Sequence, residues 1–158
     1  MAVSPSLLAA LVFLTAELAP AGPETVTLAP DTPTRLGGVE AVCTGVGLDA
    51  RENPAWSAYP LKVEFAGRGG QYLGDVHVTL SMTSGALASV NCSGPWLLFR
   101  LPAGRYRIDA DIEGRTASSA AIVSASGQSR VVLRYPDLGG VTAPAPIPPE
   151  PPVPPVSQ

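Results

Sequence analysis

Histidine, lysine and cysteine are nearly absent from this 158-residue chain, which holds one histidine (His77), one lysine (Lys62) and two cysteines (Cys43 and Cys92). A single histidine leaves no second imidazole for a zinc site, which takes several nitrogen and sulfur ligands. It also puts any Ser-His-Asp arrangement on His77 alone, and no Gly-x-Ser-x-Gly motif presents a nucleophile. The arginines are scattered and the net charge is −3, so the chain lacks the basic stripe that binds nucleic acid. We expect no catalytic residue, no metal, no cofactor and no nucleic-acid partner.

Long apolar runs are missing too. The run from Leu7 to Leu14 falls short of the roughly 20 residues that span a bilayer. It suits the apolar region of a secretory signal, and Ala19-Pro20-Ala21 suits the cleavage rule, although no Lys or Arg precedes the run. We expect residues 1–21 to be a signal peptide, with no membrane span after its removal and no cysteine placed for lipid attachment. The expected location is the periplasm or the outside of a bacterium, in keeping with an Ala-, Pro- and Arg-rich composition. At the other end, eight of the eighteen residues from Val141 to Gln158 are proline. Such a segment cannot build a hydrogen-bonded ladder, so residues 137–158 are expected to be a disordered spacer.

What the middle does have is alternation. In DVHVTLSM, Val76, Val78, Leu80 and Met82 share one face, against Asp75, His77, Thr79 and Ser81. Leu61, Val63 and Phe65 alternate with Lys62 and Glu64; Tyr106, Ile108, Ala110 and Ile112 alternate with Arg107, Asp109, Asp111 and Glu113. Period two means half-buried strands in an antiparallel sheet. Weaker strand candidates span 36–43, 86–92, 96–101, 115–124 and 128–135, punctuated by Gly, Pro, Ser and Asn. One exception is LDARENPAWSAYP, where Asp49 and Glu52 have capping-box spacing and Pro54 limits any helix to about one turn. The count of short strands predicts an all-β sandwich of about seven antiparallel strands over 35–136, preceded by a linker over 22–34.

Within it, CSGPWLLFRLPAGRYRIDADIEGR carries the most detail. Leu97, Phe99 and Leu101 face inward, Pro102 stops the strand, and Gly104 is read as the residue that lets the chain reverse. Tyr106 opens the next strand with its ring in the core and its hydroxyl in need of a partner. LPAGRYRIDADIEGR resembles the L-P-x-G-x-Y signature of carboxypeptidase regulatory-like domains, a transthyretin-like β-sandwich family. Gly94-Pro95-Trp96-Leu97 and KVEFAGRGGQYLGDVHVTL extend the resemblance, which covers roughly 45–135. It implies an immunoglobulin- or transthyretin-like sandwich with Gly94, Pro95, Trp96, Leu101, Pro102, Gly104 and Tyr106 as fold signature. It also implies a supporting module, not an enzyme.

The other constellations are weighed one by one. His77 reads as a solvated strand residue. Asp109, Asp111 and Glu113 line one face but lack the glycine-turned loop of a calcium site, so a solvated face neutralised by arginine is expected. An even cysteine count in an exported chain predicts a Cys43–Cys92 disulfide, with two buried free thiols as the competing arrangement. Asn91-Cys92-Ser93 matches a glycosylation sequon, and the bacterial source that the composition suggests would make it a chance match. Trp56, Tyr59, Tyr72 and Trp96 offer a possible glycan platform, against the plainer reading that Trp96 packs on the domain and that Trp56 and Tyr59 cover an open end. The function expected is a non-enzymatic exported binding or structural module whose partner is an envelope protein, with polysaccharide binding through the aromatics as the alternative.

Overall fold

The computed structural model describes residues 22–138; the segment 1–21 expected to be a signal peptide lies outside it, as does the expected tail 137–158 apart from Asp137 and Leu138. The strands are β1 (Thr25–Thr27), β2 (Thr34–Leu36), β3 (Val39–Thr44), β4 (Leu61–Gly67), β5 (Val76–Met82), β6 (Gly85–Cys92), β7 (Trp96–Arg100), β8 (Gly104–Ile112), β9 (Arg115–Val123) and β10 (Ser129–Tyr135). One short helix, α1 (Leu48–Glu52), and a 3-10 turn over Pro54–Ala58 lie between β3 and β4. The strands form two five-stranded sheets, one in the order β1-β6-β5-β8-β9 and the other in the order β10-β4-β7-β3-β2. We call these the β5 sheet and the β7 sheet.

The alternation places the strands as expected. Val76, Val78 and Leu80 of β5 and Tyr106, Ile108, Ala110 and Ile112 of β8 meet Leu61, Val63, Phe65, Leu97 and Phe99 of the β7 sheet in one core. Two expectations need correction. Among the described residues the strands number ten, not about seven, and they are not all antiparallel: β1 runs parallel to β6, and β10 runs parallel to β4. Both exceptions are sheet edges, where a strand from a distant part of the chain can join without a hairpin. The stretch read as a linker also contributes β1, and Leu28 beyond it is buried in the core.

The expected capping box does not form: Gly47 occupies the N-cap of α1 with no side-chain hydrogen bond. Pro54 ends that helix and opens the 3-10 turn, where Asn53 caps the Ala55 amide.

Tyr135, the last residue of β10, is buried, and its hydroxyl has no hydrogen-bond partner among the described residues. Burial, aided by the negative charge of Asp111, pushes its pKa up to about 12. A raised folded-state pKa makes a contribution that is whole below the ordinary tyrosine value near 10.0 and is lost as pH climbs from there towards about 12. Tyr135→Phe should therefore keep, or raise by about 1 kcal/mol, the neutral-pH stability, because it removes an unpaired buried polar group. It should also flatten the alkaline decline. Urea midpoints at neutral pH and near pH 11 check both points, and an undiminished alkaline decline in the variant would contradict them.

Candidate interaction surfaces

The signature stretch folds into a locked corner. Leu101 is buried after β7, and Tyr106 sits in the core with its hydroxyl donating to the Pro102 carbonyl at 2.7 Å. Burial raises the Tyr106 pKa. Gly104 has a different role from the one expected. It is the first residue of β8, its φ is not positive, and an added Cβ would come no closer than 3.7 Å, to the Tyr106 ring. The corner therefore turns on Pro102 and the tyrosine. Gly94 is the constrained glycine, because a Cβ there would stand 2.5 Å from the Thr44 carbonyl oxygen.

Behind this approach lies the disulfide. Cys43 of β3 and Cys92 of β6 are bridged, with their Cα atoms 5.4 Å apart. Stacked sheets ordinarily lie about 10 Å apart, so the bridge marks a point where the two layers close on each other. Gly74 allows a close approach within the β5 sheet instead, since a Cβ on it would run into the Ser93 carbonyl oxygen where the chain leaves β6. The Gly94 amide donates to the Cys43 sulfur at 3.2 Å.

The outer face of the β7 sheet is covered. Trp56 and Tyr59 lie over Val42 and Leu98 and form a second, smaller core with them. Trp56 Nε1 donates to the Ala50 carbonyl at 2.8 Å, and the Tyr59 hydroxyl donates to Glu40 at 2.7 Å. Gln128 donates to the carbonyls of both Trp56 and Tyr59, and the Arg100 guanidinium lies 4.6 Å from the Tyr59 ring centroid. These aromatics thus cover a sheet face, not an open end.

Beside them, Lys62 Nζ lies 3.3 Å from the Trp96 ring centroid, and Tyr72 meets that ring edge-on at 5.9 Å. Arg51 in turn covers Tyr72 at 4.8 Å. Glu64, on the outward side of the β4 alternation, is only 2% exposed and is held by Lys62 and Arg130. Burial works to raise its pKa, but the hydrogen bonds from Arg130 and Lys62 outweigh burial and hold it below the usual carboxylate range. The glycan platform loses its components here, since Trp56, Tyr59 and Trp96 are all buried and Tyr72 alone is 40% exposed. Sequence reasoning missed Arg130 and Gln128, whose partners lie more than sixty positions away; no local pattern announces them.

The outer face of the β5 sheet is open and polar. Thr25 and Ser89 share a hydroxyl bond at 2.8 Å, His77 Nδ1 bonds Asn91 at 2.9 Å, and Asn91 donates to Thr27 at 3.3 Å. Further along, Arg107 pairs with Asp109 at 3.0 Å, and Ser118 donates to the same carboxylate at 2.5 Å. The Arg107 hydrogen bond, then that of Ser118, lowers the Asp109 pKa. Asp111 accepts the Gly114 amide. The three carboxylates of β8 and its turn are thus not brought together on one point. Among the described residues no three His, Cys, Asp or Glu side chains are grouped to hold a metal ion, and no helix is long and apolar enough to cross a membrane. Compared with known proteins, the chain matches no family model and no curated protein.

Proposed function

We propose that this chain is an exported, non-enzymatic binding or structural module of the carboxypeptidase regulatory-like, transthyretin-like kind. It works in the periplasm or cell envelope by contact with another protein. The observation that carries the reading is the contrast between the two outer faces. One is closed by its own aromatics and ion pairs; the other is an open sheet of hydroxyl, amide and imidazole groups on a disulfide-tied scaffold. A face of this kind spreads many hydrogen-bonding groups over wide, open depressions lined by His77, Asp111 and their neighbours, which suits a protein surface better than an enclosed small substrate. The disulfide fits an oxidising compartment, and the Pro102–Tyr106 corner fits the family's signature. The proline-rich segment then serves as a tether.

The test uses tagged Gly22–Gln158 as bait in envelope extract, beside the same chain without 141–158 and a Thr79→Arg/Asn91→Arg variant of the open face. One envelope protein should be kept by the first two baits and lost by the third. Retention by the face variant would move the contact elsewhere, and no protein on any bait would count against the reading.

A further inference from the structure

The two sheets have four edges, and three of them are blunted. β1 and β2 are three residues each, and β10 carries the exposed arginines Arg130 and Arg134 along its length. The fourth, β9, differs. It runs nine residues as RTASSAAIV, and among the described residues β8 is its only ladder partner; at its far end the Ser129 hydroxyl, at the start of β10, donates to the Ile122 carbonyl at 2.7 Å, and that oxygen keeps a second lone pair. Its only charge is Arg115 at the first position, it holds no proline, and Ile122 is 62% exposed. A long, nearly uncharged edge is a template for one more strand.

We propose that this edge pairs with the β9 edge of a second copy, antiparallel and two-fold about Ser119, so that the β5 sheets of two protomers become continuous. Self-complementarity of the strand singles out this occupant. The two-fold places Thr116 opposite Ile122 of the partner copy, Ala117 opposite its Ala121 and Ser118 opposite its Ala120. No large side chain meets another, and no like charges meet. Charge outside the pair points the same way. β8 is basic at one end of its outer face, with Arg105 and Arg107 beside Ile122 and Ala120, and acidic at the other, with Asp109 and Asp111 beside Ser118 and Thr116. Antiparallel association sets the acidic half of one copy alongside the basic half of the other, and parallel association would set like beside like. At three strand spacings, roughly 14 Å, these charges select the orientation and add little affinity. The chain's own proline-rich residues 141–158 are poor competitors for the edge, because proline lacks the amide hydrogen that a ladder strand donates. This contact is separate from the open-face contact proposed above and stands without it.

Sedimentation velocity on the full-length chain over a wide dilution series tests it. The wild type should form a dimer. Thr116→Lys/Ile122→Lys, at two exposed positions, sets lysine opposite lysine twice and should weaken the dimer about tenfold or more. Thr116→Glu/Ile122→Glu should weaken it likewise. Mixing the two variants should restore a dimer containing one copy of each, which also shows that both are folded. A wild type that stays monomeric throughout overturns the proposal, including the case in which the edge takes a strand from another protein. So does a dimer that the lysine pair leaves intact, or a mixture that fails to re-associate.

Discussion

Replacing both Cys43 and Cys92 by alanine should lower stability by about 4 kcal/mol, from the chain-entropy cost of a loop of this length, with a sequence separation of 49 between the cysteines. For a domain of this size that corresponds to a drop in thermal midpoint of about 15 °C. Several features make the site unforgiving. Both cysteines are buried, so the variant leaves space where two sulfurs stood. The Gly94 amide loses its sulfur acceptor as well. The bridge also joins different sheets, β3 in one and β6 in the other, so its loss releases the layers from each other and not merely one hairpin. Thermal melts of wild type with and without reductant, beside the double variant, measure this. Reduced wild type should fall towards the variant, and equal midpoints for all three would refute the expectation.

Phe99→Ala should cost about 3–5 kcal/mol, a large share of the roughly 5–15 kcal/mol that holds a typical domain folded. Phe99 lies on β7, the middle strand of its sheet, between Ala41 of β3 and Leu61 of β4, and it has no exposure. Strands on both sides and a second sheet above leave the surroundings little freedom to collapse into the vacated volume. Phe99→Leu keeps most of that volume and should cost well under half as much. Ile122→Ala, at an exposed position, should change monomer stability by no more than about 0.5 kcal/mol. Urea unfolding of the three variants gives the ranking; a Phe99→Ala loss below about 1 kcal/mol would show that the core repacks.

The elements legible in the sequence were those with one wet face. On β5 and β8 every second residue is polar, so alternation gave both the strand and its inward side. β4 shows where alternation stops. Leu61, Val63 and Phe65 do point into the sandwich, but Glu64 on the other side is buried as well. The pattern tells which side of a sheet a residue leaves from, not what the chain has laid over that side. The apolar outward residues Val42 and Leu98 carried the available signal, since strands buried on both faces read as continuous apolar runs. Trp56 and Tyr59 were the obvious material to cover them. The two parallel pairings were not legible: each depends on a partner far away in sequence, and β1 is too short to show a period. The bridged cysteines followed from their even number and expected compartment. The open face of the β5 sheet was visible as polar strand positions, but not as the one face left uncovered.

The parallel edges also set the order in which the molecule can be made. β4 gains its second neighbour only when Ser129–Tyr135 arrive, with Val131 beside Val63 and Leu133 beside Phe65, and β1 waits in the same way for β6. Loop closure over such spans comes before the contacts that reward it, which places the domain among topologies that fold in milliseconds to seconds. A chain still emerging, short of residue 129, lacks the edge strand that brings Leu133 and Tyr135 into its core and leaves that side open. Export, as proposed above, would make use of that delay: β10 is the last strand of the domain to arrive, so the fold would close on the far side of the membrane.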